Sequence, residues 1–293
     1  MGKPEPAEAL RWGTERRLEF IEFRLYWNRR VNRADLTRQF GISVPQASLD
    51  LARYQQLAPT NMTYDKSAKT YLASPALRPV FFSPDADAYL NSLRSISDKI
   101  VAPEQTWLGR IPDMAALPLL SRRSNPEHLR AILAAIQDKA ALNVRYQSMS
   151  RPQPTWRRIS PHALGFDGFR WHARAFCHID RTYKDFLLPR ILKVGDRTAG
   201  EAEPSGDRAW HEIVTLRIKP HPALTPAQRR AIEIDYGMTK GILRIEVRAA
   251  LAYYARKRLG LDRAPDTVKP NDQQIVLANP EEVQTLLTRL GQA

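Results

Sequence analysis

Residues 155–191 read TWRRISPHALGFDGFRWHARAFCHIDRTYKDFLLPRI, and hold seven Lys or Arg side chains and three histidines against three aspartates. Aromatic and aliphatic runs split by the turns GFDGF (165–169) and HIDRT (178–182) read as strands. A segment that is both strand-forming and strongly basic is not an ordinary solvated surface. With further strand-like text at 141–147 and a helix before it at 126–140, it predicts a small, strongly bent β-barrel with a cationic pocket or face.

The charge distribution supports this. The 293 residues carry a formal net charge of +14, and residues 141–200, with eleven Lys or Arg against four Asp or Glu, supply half of it. A basic field attracts polyanions, nucleic acid first, although membrane surfaces and acidic proteins also fit. A polar, acidic spacer at 200–212 marks the next boundary. With 43% hydrophobic residues the chain can build two or three domains.

Toward the N-terminus, helix-like apolar spacing covers 11–31, including Trp12, Leu18, Ile21 and Leu25. Asn32 and Asp35 have the spacing of a capping box that opens a short helix to Phe40. After a turn at 41–43, Ser43 can cap the next helix, with Gln46 reaching back to it and Pro45 tolerated in the first turn. That helix runs to about Leu57. Val44, Ala47, Leu51 and Tyr54 are expected to face inward, leaving Pro45, Gln46, Ser48, Leu49, Asp50 and Arg53 outside. A hairpin at 62–72 completes a winged helix-turn-helix. Gln46 and Arg53 are the expected base readers, Gln for adenine and Arg for guanine. Arg38, Lys66 and Lys69 suit phosphate contacts, and Ser43 and Ser48 complete the expected DNA-facing set. A winged helix used only for protein contacts is the alternative.

Prolines interrupt 75–125, which reads as a connector with one helix at 85–100. Beyond the spacer, strands at 213–219, 242–248 and 274–278 alternate with helices at 225–234, 249–259 and 280–290, a small α+β unit. The whole chain is therefore expected to be α+β.

In the barrel, Tyr146, Ser148, Arg158, His162, Trp171, His172, Arg174 and Arg190 supply donors and stacking surfaces suited to phosphate and bases. Alternation along a strand puts Arg170, His172 and Arg174 on one face, and Arg158, Ser160 and His162 on another. A solvated sheet face with structural arginines is the other reading of the same residues. Tyr253 and Tyr254 with Arg256, Lys257 and Arg258 form a basic helix end, a solvated face or the entrance to a ligand site. The six histidines show no HxxxH or HExxH pair, and no glycine-rich phosphate loop or GxSxG elbow appears. No catalysis, metal or cofactor is therefore expected. The single cysteine, Cys177, excludes an internal disulfide and points to a reducing, cytoplasmic setting. No apolar run is long enough to cross a membrane, and the opening MGKPEPAEAL lacks the apolar core of a signal peptide.

These motifs together resemble the WYL-domain transcriptional regulators over nearly the whole chain. Trp171-His172-Ala173 stands where the family has Trp-Tyr-Leu. Arg158-Ile159-Ser160-Pro161 matches its Arg-x-x-Pro strand, and residues 186–191 (FLLPRI) resemble its Phe-Arg-Leu-x-Arg-Ile strand, with Leu187 in place of the first Arg. The Trp-His variant followed by Arg174 is similar to the BrxR and CapW subgroup, repressors beside BREX and CBASS phage-defence operons. The run RIKPHPALTPAQRRAIEIDYGMTKG (217–241) resembles the family's C-terminal extension. The resemblance implies a winged helix-turn-helix at 1–74, a helical connector at 75–125, a WYL domain with an Sm/SH3-like barrel at 126–205 and a WCX-type dimerisation domain at 206–293. It also implies a homodimer on an inverted-repeat operator of double-stranded DNA, repressing its own defence operon. The barrel would sense a nucleotide or nucleic-acid ligand. An activator whose barrel binds single-stranded DNA, or a non-enzymatic scaffold, are the other classes open at this point.

Overall fold

A computed structural model describes residues 12–117 and 122–291. The stretch MGKPEPAEAL, Arg11 at the expected start of the first helix, and Pro118 of the connector lie outside the described residues. The chain divides between residues 119 and 120 into two compact units.

The first unit opens with α1 (Trp12–Asn28), β1 (Arg30–Val31), α2 (Arg33–Phe40), α3 (Val44–Leu57), β2 (Met62–Asp65) and β3 (Thr70–Ala73). The capping box is present: Asp35 N–H donates to Asn32 Oδ1 (3.0 Å) and Asn32 N–H to Asp35 Oδ2 (2.9 Å). Ser43 Oγ accepts from Gln46 N–H at 3.3 Å, so the first two helices of the helix-turn-helix start where local capping chemistry directs. Leu18, Phe20, Ile21, Leu25, Leu36, Ala47, Leu51 and Tyr54 form the core. The three strands pair in the order β1-β3-β2, so the wing hairpin is anchored by a short strand at the end of α1.

The connector is tied down by a buried carboxylate. Glu22 of α1 is fully buried, and its Oε2 accepts from the backbone N–H groups of Val80, Phe81 and Phe82 at 2.7, 2.6 and 3.1 Å. Its Oε1 accepts from Tyr54 Oη (2.9 Å) and Asn61 Nδ2 (3.4 Å). Beyond this clamp, α4 (Ala86–Ser97) stacks Tyr89 on Trp27, and Trp107 packs edge-on against Phe20.

The second unit begins with α5 (Pro126–Gln137) and five strands: β4 (Ala140–Tyr146), β5 (Thr155–Phe166), β6 (Trp171–Cys177), β7 (Thr182–Leu187) and β8 (Ile191–Ala199). They pair antiparallel in the order β7-β6-β5-β4-β8. Register shifts after Leu142 and after Pro161 bend the sheet, as bulges do. This is the small, bent β domain that the sequence suggests; among the described residues its ladder is open between β7 and β8. Ile132 and Ala135 of α5 close one face over Leu142, Val144, Ile159, Ala173 and Ala175.

The C-terminal part adds α6 (Arg208–His211), β9 (Ile213–Pro220), α7 (Pro226–Asp235), β10 (Leu243–Arg248), α8 (Ala249–Arg258), β11 (Ile275–Leu277) and α9 (Pro280–Arg289). Its sheet runs β10-β9-β11, antiparallel throughout. Val214, Leu216 and Ile218 alternate inward along β9 onto Ile232, Ala252, Val283 and Leu287 of the helices. No helix among the described residues is long and apolar enough to cross a membrane.

Candidate functional site

The first candidate surface is the outer face of α3 with the wing. Ser43, Pro45 and Arg53 are exposed, as are Lys66 and Lys69 at the hairpin tip and Arg38 at the end of α2. Asp65 shapes that tip by accepting from Ser67 N–H (2.8 Å) and Ala68 N–H (3.1 Å), and Lys69 turns the chain with φ 50°. Two expected positions are exchanged. Val44 is 55% exposed, because the first residue of the helix projects past the core, whereas Asp50 is 2% exposed. Asp50 lies on the same stripe as Ala47, Leu51 and Tyr54, and Arg17 of α1 neutralises it there at 2.6 Å. Two polar side chains are also partly committed. The Gln46 side chain does not reach back to the Ser43 backbone; its Nε2 donates forward to Asp50 Oδ1 (3.1 Å), and Ser48 Oγ donates to the Val44 carbonyl (3.0 Å). Arg53 is the exposed cation on this helix, and Gln46 and Ser48 are half-buried.

The second candidate is a groove of about 640 Å³ in the second unit, lined by Tyr146, His172 and Arg190 among the expected ligand residues. Its floor is built by the GFDGF turn. Asp167 accepts from the N–H groups of Phe169 (2.9 Å) and Arg170 (2.8 Å), from Arg170 Nε (2.7 Å), and pairs with His172 Nε2 (3.0 Å). Burial alone would raise its carboxyl; these hydrogen bonds, His172 first, hold it at about 2. Gly168 takes φ 94°, a conformation strained for any residue with a Cβ, so the turn needs glycine. Helix α8 forms the opposite wall with Tyr253, Tyr254, Lys257 and Arg258. Tyr254 lies beside the His172 ring and donates to Asp185 Oδ2 (3.1 Å); burial, then Asp185, pushes its phenol up. The basic helix end noted in the sequence thus borders the groove.

Four permanent cations (Arg170, Arg190, Lys257, Arg258) meet two carboxylates here, Asp167 and Asp185, both already bonded. Arg190 has no ion-pair partner among the described residues, and Arg258 lies over the Phe169 ring at 5.1 Å. Free guanidinium beside exposed Phe169 and Tyr253 rings suits a phosphate attached to a flat group.

The other five expected ligand residues are elsewhere, and the acidic spacer accounts for three of them. Asp207, at the start of α6, takes Arg174 Nε (2.7 Å) and Nη2 (3.0 Å) in a bidentate pair, and His162 Nε2 at 3.0 Å. Asp185 adds a third contact to Arg174, which is 2% exposed. Arg158 is bound by Glu201 (2.9 Å) and the Ala199 carbonyl. Ser148 bonds Ser150 in the loop after β4, and Trp171 lies half-exposed against Phe166. The residues that sequence reasoning left out of the site are Asp167, Phe169, Asp185 and Leu187. Of these, only the Asp-Gly of the turn carried a local signal.

Residues 13–95 match the BrxR transcriptional regulator winged helix-turn-helix domain, 127–195 the WYL domain, and 213–283 the BrxR transcriptional regulator C-terminal dimerization domain. A DNA-binding transcriptional repressor CapW from Stenotrophomonas maltophilia is 42% identical over 94% of this chain and 92% of its own. CapW repressors from Escherichia coli (strain KTE188) and Pseudomonas aeruginosa are 41% and 40% identical, each over 96% of this chain and 94% of theirs. With these three segments in this order, and such relatives along nearly its whole length, the chain belongs to the BrxR and CapW family of WYL-domain transcriptional regulators.

Proposed function

We propose that this protein is a DNA-binding transcriptional repressor that acts as a cytoplasmic homodimer on an inverted-repeat operator of a phage-defence operon. The observation that carries the reading is the outer face of α3, where Ser43, Pro45 and Arg53 stand clear of the core in a unit whose wing tip presents Lys66 and Lys69. Each winged head would enter a major groove, with the half-sites one helical turn or a multiple apart. Gln46, Ser48 and Arg38 complete that surface. The C-terminal region from about residue 206 would hold the dimer together, with 75–125 linking the head to the WYL domain at 126–205.

Gel-shift binding to the DNA upstream of the protein's own gene, against a scrambled duplex at the same salt, tests this. Specific binding at nanomolar protein is expected, with Arg53→Ala costing about 1–3 kcal/mol and relaxing sequence preference, while Lys66→Ala weakens both duplexes alike. Equal binding of the two duplexes by the unaltered protein at moderate salt sinks the reading.

The groove between the GFDGF turn and α8 serves as the effector site for a nucleotide or nucleic-acid ligand. It supports this role by its surplus of cations and its exposed rings, and Tyr146, His172 and Arg190 are among the residues that line it. Such a ligand lifts repression only by favouring the DNA-incompetent state; a swing from 1:99 to 99:1 needs roughly 5.5 kcal/mol of preference. Arg190→Ala and Arg258→Ala are each expected to weaken effector binding about tenfold or more, with the fold intact, because neither side chain holds an ion pair. Unchanged titration curves for both variants would remove the groove from the mechanism.

A further inference from the structure

A second basic cavity, of about 430 Å³, lies wholly within the first unit. Its walls come from four places: Arg24 on α1, Arg30 on β1, Arg38 on α2, and the connector through Gly109 and Arg110. Two acids face it. Asp35 is already held by Arg24 at 2.9 Å and by the α2 cap, and Glu104 stands exposed at the rim. Arg30, Arg38 and Arg110 form no ion pair among the described residues.

We propose that Arg24, Arg30, Arg38 and Arg110 form a phosphate-binding pocket in which the connector supplies one wall. Three features point to an anion. Arg24 Nε is buried with no hydrogen-bond partner, a costly state for a charged donor. Arg24 is also crowded: burial first, then the neighbouring Arg38 and Arg30, disfavour its charge, and Asp35 offsets only part of this. Finally, the connector packs closely against the arginine, since a Cβ at Gly109 would lie 2.6 Å from Arg24 Cζ. A tetrahedral dianion among four forked donors relieves this repulsion and gives each guanidinium a charge-assisted partner. The connector wall at 103–110 lies beyond the 13–95 stretch that matches the winged helix-turn-helix model. The phosphate belongs either to the DNA backbone or to a free phosphorylated small molecule. In both cases its binding fastens the connector to the head.

The test uses the full chain carrying Arg190→Ala and Arg258→Ala, so that the groove contributes little. Calorimetric titration with sodium pyrophosphate is compared with and without Arg110→Ala, with Arg78→Ala as an equal charge loss on the same unit away from the cavity. A second variant, Gly109→Ala, narrows the floor without removing charge, and thermal melts verify that each variant is folded. Loss of affinity of about tenfold with Arg110→Ala, a loss also with Gly109→Ala, and little change with Arg78→Ala support the pocket. A parallel arm measures the salt dependence of binding to a scrambled duplex. A slope smaller by about one with Arg110→Ala, and not with Arg78→Ala, assigns the phosphate to DNA. An unchanged slope alongside pyrophosphate binding assigns it to a free ligand. If Arg110→Ala changes neither measurement, or Arg78→Ala changes both equally, the pocket is overturned.

Discussion

Asp207→Ala is expected to destabilise the second unit by about 3–5 kcal/mol, the cost of leaving a buried charge without its partner. The charge is Arg174, 2% exposed on β6, whose Nε and Nη2 both donate to Asp207 at 2.7 and 3.0 Å. Asp185 remains after the substitution, but at 3.2 Å and shared with Tyr254. The variant also strips His162 of its carboxylate and α6 of its cap, since Asp207 Oδ1 accepts from Trp210 N–H. Denaturant unfolding followed by tryptophan fluorescence measures this; a loss below about 1 kcal/mol would show that the pair is not the tie it looks to be. Acid provides a second reading. Burial would raise the Asp207 carboxyl above its ordinary 3.8, but His162 and Arg174 hold it at about 2. A depressed carboxylate contributes stability above the unfolded value and loses it as pH falls through the folded one, so about 2 kcal/mol should disappear between pH 4 and pH 2. Asp207→Asn should flatten that part of the curve. Arg174→Ala belongs to the same class: it is expected to perturb folding, not to report on the effector.

Glu22→Ala should cost the first unit about 4 kcal/mol, near the upper end for a single substitution. One fully buried carboxylate collects three backbone N–H groups of the connector and the side chains of Tyr54 and Asn61. Removing it takes the acceptor from the N–H groups of half-buried Phe81 and Phe82 and from the Tyr54 hydroxyl, whereas Val80 is exposed and Asn61 Nδ2 keeps the Arg78 carbonyl. Asn61 shares the clamp, exchanging hydrogen bonds with both the N–H and the carbonyl of Arg78. Glu22→Gln keeps one good acceptor and should lose about half as much. Because Tyr54 lies on the inner face of α3, the variant is also expected to loosen this helix, proposed to read DNA, seen as weaker operator binding at unchanged salt slope. Full stability in Glu22→Ala would contradict the clamp.

Much of the fold is legible from local chemistry. The Asn32–Asp35 box, Ser43 before α3, Pro126 in the first turn of α5 and the GFDGF and HIDRT turns each act within four residues, and each element they predict is present. Alternation along β9 and the 3.6-residue stripe of α3 likewise need nothing beyond the chain's own period. The inward position of Asp50 was misread because a carboxylate is normally solvated. Arg17, thirty-three residues away, supplies the opposite charge that makes its burial tolerable, with Gln46 adding a hydrogen bond.

The proposed effector groove is legible in the sequence as a property and not as a place. Residues 155–191 announce a basic, strand-built domain and carry part of the resemblance to the family. Which cations remain free was decided by tertiary structure. The spacer at 200–212 reads as a boundary, yet it folds back so that Glu201 takes Arg158 and Asp207 takes His162 and Arg174, across 43, 45 and 33 residues. The wall that completes the groove comes from α8, more than sixty residues after the strands it faces. Capping, turn geometry and side-chain alternation are short-range forces written in adjacent residues. The pairing of charges depends on distance in space and on burial, and those exist only once the chain has folded.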